Sequence, residues 1–294
     1  MTRDELPPGK QLDIILVTGD AYVDHPAWGV SAIGRWLEAH GFSVGVIAQP
    51  DWRSPDAFRA LGRPRLFFGV TAGNMDTMVN KFTASRRLRS ADAYSPGGEL
   101  GLRPDRATIP YTSRAKQAYP GVPVIIGGVE ASLRRLVHYD FWQDKIRGSI
   151  LLEAKADLLV FGMGELTIVE IARTLDRGGN IRDCRELPGV AYALGGKEPL
   201  PEFDDSVTLP SLAECKANRT HLGAVTVAMY KESNPHCGRP IFQAHGGRWV
   251  VQNRPCRPLE TPELDRLHEL PYTYRPHPCY RSAVPATQSI EGSI

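Results

Sequence analysis

Cysteine is scarce and scattered in this chain. The five, Cys184, Cys215, Cys237, Cys256 and Cys279, stand 19 to 31 residues apart, and none forms a CxxC or CxxxC pair. An odd, unclustered set argues against a disulfide framework and against a self-contained iron–sulfur or zinc-ribbon site. Long apolar runs are missing too. The longest candidate, Val122 to Val129, carries two glycines and falls far short of the ~18 residues of a membrane span. Met1 to Pro8 has no apolar signal-peptide core. The expectation is a cytoplasmic protein with no membrane partner. A strong charge bias is absent, since the net charge is +2. No GxGxxG or GxxxxGK[ST] run is present to cradle phosphates. No Ser/His/Asp set or carboxylate pair stands out, so no residue is assigned a catalytic or metal-binding role.

What is present is an ordinary globular composition, 42% apolar and 23% charged, in a 294-residue chain long enough to bury a real core. The chain is organised around Leu12 to Asp51. Leu12–Thr18 is short, apolar and β-branched, the pattern of a strand buried on both faces of a parallel sheet. A helix follows, with Val30, Ile33, Leu37 and either Trp36 or Ala39 on one stripe and Gly41 at its end. Phe42–Ala48 is the next strand, which makes a βαβ unit. Further strands read at 65–70, 122–126 and 157–161, with helices expected at 55–61, 105–119 (disturbed by Pro110), 131–136, 142–154 and 166–177. After Gly178-Gly179 the alternation stops. Gly189–Leu194 reads as an edge strand, and 241–244 with 248–252 as a hairpin through Gly246-Gly247. The fold class is therefore α/β, a Rossmann-like and mostly parallel sheet of about five strands. The expected division is an α/β domain over 1–188 and, over 189–294, an irregular extension ending in a proline-rich linker.

Strand-end loops of such a sheet converge on one edge. Four of them carry glycines with an acid: Asp20 and Asp24, Asp76, Glu130, and Glu165. Singly, each acid is better read structurally; Glu130 and Glu165 in particular read as helix-start residues favoured by the macrodipole. Together with His25 and Asn74 they define a candidate crevice. Residues 81–116 hold eight basic residues against three acidic ones, so Lys81, Arg86, Arg87 and Arg89 mark a candidate basic loop. With Phe82, Tyr94 and Tyr111 interleaved, an RNA-contacting role is an alternative, and a solvated loop is favoured over it. His236, Cys237, His245, Cys256, His277 and Cys279 are too irregularly spaced for a zinc site to be expected.

Six segments carry a family resemblance. They are Val17–Pro26, Ile47–Ser54, Gly69–Asp76, Asp92–Gly98, Gly127–Arg135 and Gly162-Met163-Gly164-Glu165. In this order and spacing the chain resembles the N-terminal region of the YgiQ-type radical SAM proteins. The resemblance implies a full-length protein with a [4Fe–4S] cluster on a CxxxCxxC triad and S-adenosylmethionine on its open iron. Those cysteines are not in this sequence. The expectation is thus an N-terminal piece, inactive alone and with no cofactor of its own, whose partner is the radical SAM barrel on a separate or missing segment. It would cover that barrel and help shape a cavity for a small-molecule or RNA substrate. Such proteins often carry a cobalamin-binding domain of the same doubly wound type. Its base-off form uses DxHxxG in the first loop, but here the order is Asp24-His25-Pro26-Ala27-Trp28-Gly29. A loop histidine is the favoured reading. An independent binding module for a corrinoid or nucleotide-like ligand stands as the alternative function.

Overall fold

The computed structural model describes residues 5–6 and 9–291. It shows an α/β fold whose strand pairs are mostly parallel. Two compact units share the chain: one takes the residues up to Val124, Gly128–Glu130 and Glu260 onward, and the other takes Ile125–Gly127 and Ala131–Leu259.

The first unit is built on β1 (Ile14–Thr18), whose five residues are all buried. β1 lies between two parallel neighbours, β2 (Val44–Ala48) and β3 (Phe67–Thr71), with Ile14 opposite both Val44 and Phe67. A run without alternation suits such a strand because both faces are covered. The helix α1 (Gly29–Ala39) buries Val30, Trp36 and Leu37 of the expected stripe and leaves Ile33 half-buried, and the chain turns at Gly41 beyond it. The expected helix from Pro55 shortens to one 3₁₀ turn, Asp56–Arg59, anchored by the fully buried Phe58. Ser54 is not its cap, since Pro55 takes that position without a side-chain cap bond; the Ser54 hydroxyl only accepts the Asp56 N–H, at 3.2 Å. α2 (Thr77–Lys81) follows β3. α3 (Thr108–Ala118) carries Pro110 at its third position, where a missing N–H leaves no helical bond unmade, so the helix is not broken. β4 (Val124–Gly127) and α4 (Gly128–Leu133) carry the chain onward.

The second unit opens with a correction. The helix expected over 142–154 is a hairpin, β5 (His138–Asp140) with β6 (Lys145–Arg147), followed by the short α5 (Ile150–Ala154). The Asp140 carboxylate accepts the N–H groups of Trp142 and Gln143, both at 3.0 Å, and ties the turn where a helix would have run. β7 (Leu158–Val160) pairs in parallel with Ile125 and Ile126 of β4. α6 (Glu165–Asp176) buries Ile168, Ile171 and Ala172.

β8 (Val190–Leu194), expected at an edge, is an interior strand. It runs antiparallel between β7 and the later hairpin. β9 (Val207–Leu209), α7 (Leu212–Ala217), α8 (His221–Lys231), β10 (Ile241–Ala244) and β11 (Trp249–Gln252) complete this unit. Its strand order is β4-β7-β8-β11-β10-β9.

From Glu260 the chain belongs to the first unit again. α9 (Thr261–His268) has a Glu260/Glu263 capping box, and its Arg266 guanidinium sits 5.9 Å above the Trp36 ring. Val284 joins Ala21, Val23 and Trp28 in a buried cluster, with Tyr94 and Tyr280 packed against it. A last turn, α10 (Gln288–Glu291), follows. Among the described residues no helix is long and apolar enough to cross a membrane.

β1 and β3 close on each other just past their ends. A Cβ on Gly19 would lie 2.2 Å from the Ala72 carbonyl oxygen, a distance only backbone movement can relieve. Gly19→Ala is expected to lower unfolding free energy by about 1–3 kcal/mol in denaturant titration.

Candidate functional site

The carboxyl ends of β1 and β3 bring the first acid into a closed, dry corner. The Asp20 N–H donates to the Thr18 hydroxyl at 3.2 Å, and its Oδ2 accepts the Asn74 N–H at 2.6 Å. Gly73, at φ +113°, leaves room for this carboxylate, because a Cβ there would fall 2.2 Å from Asp20 Oδ1. Against the same oxygen lies Arg103 Nη2, at 2.9 Å. The guanidinium also donates to both oxygens of Asp92, Nε at 3.0 Å and Nη2 at 3.1 Å, and through Nη1 to the Ala72 carbonyl at 3.2 Å. Asp20, Asp92 and Arg103 are all buried. Two carboxylates share one guanidinium, so the cluster carries an excess negative charge away from water. Burial therefore pushes the Asp20 carboxyl up to about 6, with Asp92 adding to the rise while Arg103 and the Asn74 N–H oppose it.

Asp24 is held the other way. Its Oδ1 accepts Arg35 Nε and the Ser31 hydroxyl, both at 3.0 Å, and the Tyr22 hydroxyl at 3.3 Å. Its Oδ2 accepts Arg35 Nη2 at 2.6 Å and the Thr273 N–H at 2.9 Å. Burial alone would raise this acid. The Arg35 and Thr273 bonds outweigh burial and hold the carboxyl down to about 2. Arg35 and Ser31 stand one helical turn apart on α1. The backbone repeats the link to the returning tail: Tyr274 N–H donates to Asp24 O at 2.9 Å, and Tyr22 N–H to the Tyr280 hydroxyl at 2.8 Å.

Glu130, Asp76, Asn74 and His25 also have partners within the protein. Glu130 is fully buried, and its two oxygens accept the N–H groups of Thr77 and Thr108, each at 3.0 Å. It clips the starts of α2 and α3 together. Asp76 caps α2, accepting from Met78 and Val79. The Asn74 side chain spans Gly29 N and Ala27 O, at 3.0 and 2.9 Å, and fixes the entry to α1. His25 Nδ1 accepts the Ala27 N–H at 2.9 Å, and the ring makes edge contacts with Trp28 and Tyr274. Burial, with His268 near by, lowers its pKa. Glu165 belongs to the second unit, where it starts α6 half-buried; burial raises its carboxyl.

Thus Asp20, Asp24, His25, Asn74, Asp76 and Glu130 gather in the first unit and bond inward. Among the exposed residues of the same unit are three apolar ones, Val79 on α2, Leu88, and Val129 on α4, at 46%, 58% and 45%. The basic loop is a small hairpin, with Phe82 bridged to Leu88 and Thr83 N–H donating to Arg87 O at 2.8 Å. Lys81 pairs with Asp105 and sits over the Phe82 ring; Arg86, Arg87 and Arg89 are exposed. Sequence reasoning missed Arg103, Asp92 and Arg35. The Asp92–Gly98 segment was visible as a motif, but nothing in its spacing points to Arg103 as its partner.

Cys184 and Cys215 do not fit an iron–sulfur cluster. Cys184 and Cys215 are buried, with burial pushing the Cys184 thiol up to about 11, away from the thiolate a cluster needs. Among the described residues no group of three or more His, Cys, Asp or Glu side chains could hold a metal ion.

Arg103→Met leaves two buried carboxylates uncompensated and should cost about 3–5 kcal/mol in denaturant unfolding. The two acids should also divide the acid limb of the stability profile. Asp20 takes up a proton in the folded chain near pH 6, before the unfolded value of about 4, so its contribution to stability rises as pH falls across that window. Asp24 does the reverse: its contribution, full above about pH 4, is lost as pH falls toward 2. Denaturant titrations of Asp20→Asn and Asp24→Asn against the native chain would each remove one limb.

Comparison with known proteins gives this geometry a family. The family model for the radical SAM N-terminal domain matches residues 2–293. A UPF0313 protein of Geobacter sulfurreducens is 52% identical over 97% of this chain and 47% of its own length. One from Thermotoga maritima is 49% identical over 100% of this chain and 52% of its own. The chain therefore spans about half the length of these curated relatives. Among solved structures, the radical S-adenosylmethionine methyltransferase TsrM from Kitasatospora setae, with cobalamin and a [4Fe-4S] cluster bound, overlays with a TM-score of 0.40. That overlay has 20% identity over 62% of this chain and 27% of TsrM. By the family model and these relatives, the chain belongs to the radical SAM N-terminal family.

Proposed function

We propose that this chain is the accessory N-terminal domain of a radical SAM protein, and that it covers the catalytic barrel and helps shape its substrate cavity. One observation carries the reading: the acids of the first unit bond inward, while Val79, Leu88 and Val129 of the same unit remain exposed. Exposed apolar side chains beside a rigid, internally satisfied frame suit a protein-docking face better than a ligand crevice lined with acids. The basic hairpin from Lys81 to Arg89 adds a cationic edge to that face. The length of the relatives agrees, since about half of each lies outside the match to this chain. The [4Fe–4S] cluster and S-adenosylmethionine belong, in this reading, to the barrel. No radical step is assigned to a residue of this chain.

Co-expression with the C-terminal half of the Thermotoga maritima relative tests the proposal. A stable complex is expected on gel filtration. Val79→Glu and Val129→Glu, both at exposed positions, should each weaken it roughly tenfold or more. Failure of the native chain to associate would count against the docking role.

A further inference from the structure

The second unit holds an open groove of about 680 Å³ that the docking reading does not use. Three elements build it. β6 supplies Lys145 and Arg147 from alternate positions, α7 supplies Leu212 and Lys216 one turn apart, and the β10–β11 turn supplies His245 and Arg248. That turn is tight: His245 N–H donates to Arg248 O at 2.8 Å across Gly246-Gly247, so the two side chains are placed by one rigid hairpin.

His245 is the informative residue. It is only 9% exposed, and neither ring nitrogen has a hydrogen-bond partner among the described residues. A buried polar group left this way costs free energy unless something outside the chain completes it. It lines the groove beside Gly148, where even a methyl group would come within 3.2 Å of Nδ1. Burial, with His138 adding to it, holds its pKa down to about 4, so the ring is neutral near pH 7, with one donor and one acceptor to offer.

The rest of the lining decides what would bind. Arg147 is spent on Glu153, at 2.6 and 3.1 Å, and lies 3.5 Å from Asp140. Lys145, Lys216 and Arg248 make no ion pair among the described residues. A cation would meet this positive rim and find its carboxylate already taken, which disfavours a metal. An anion with several acceptor oxygens meets three cations above the buried imidazole.

The geometry points to a site for a small phosphate ester in the second unit, with the His245 ring in its lining and Lys145, Lys216 and Arg248 balancing its charge.

The test uses the 294-residue chain and inorganic pyrophosphate as probe, following the imidazole resonances by ¹H–¹⁵N correlation. A saturable shift of the His245 resonances is expected. Lys216→Glu/Arg248→Glu, both at exposed positions and so compatible with folding, should weaken binding by roughly tenfold or more. No shift of His245 at millimolar pyrophosphate would overturn the proposal, as would unchanged affinity in the charge-reversed variant. So would zinc shifting His245 where pyrophosphate does not, or a short single-stranded RNA binding tightly without moving those resonances.

Discussion

A guanidinium buried between two carboxylates sets the terms for the first unit. Arg103 enters the corner where β1 and β3 end, and takes Asp20, Asp92 and the Ala72 carbonyl at once. Charges so placed are costly to desolvate, and they hold only when geometry and hydrogen bonds are nearly complete. That requirement explains Gly73, where any side chain would occupy the Asp20 carboxylate's place. It also explains why the long stretch after α2 is ordered. Arg103 and Asp92 are eleven residues apart, and both are fixed in the interior, so the intervening Tyr94–Gly98 turn is drawn onto the β1 loop, where Ala21 N–H donates to Tyr94 O.

The parallel framework was readable because its strands are short apolar runs separated by helical stripes, and β1, β2, β3, β4 and β7 all formed where those runs predicted. Local hydrogen bonding defeated the reading elsewhere. The Asp140 side chain made a turn inside a stretch with helical composition. β8 looked like an edge because it follows a Gly-Gly stop, yet one of its two neighbours, β11, comes from residues about sixty positions later. Periodicity carries no record of such a pairing.

The site was legible in location and not in role. Glycine–acid turns marked the strand ends correctly, and they gave Asp20, Asp24, Asp76 and Glu130. Each acid then found a partner that spacing does not reveal: Arg103, Arg35 with the tail, the first N–H groups of α2, and two helix starts at once. Inward bonding turns a row of acids that looks like a ligand crevice into joinery. His245 is the converse case. Considered among irregularly spaced metal ligands in the sequence, it is buried without a partner for either nitrogen among the described residues.

The tail bears on how the chain comes to be made. Asp24 and Thr273 are 249 residues apart, and Tyr22 and Tyr280 are 258 apart, yet each pair is bonded directly. During synthesis the first unit emerges early but lacks its closing segment until the whole of the second unit has left the ribosome. The second unit, continuous from Ala131 to Leu259 apart from three residues of β4, has nearly all its own contacts in hand by then. Closure of so long a loop is slow in entropy terms, so the half-built first unit must wait with its β1–α1 loop uncovered until the segment from Glu260 onward returns to latch it.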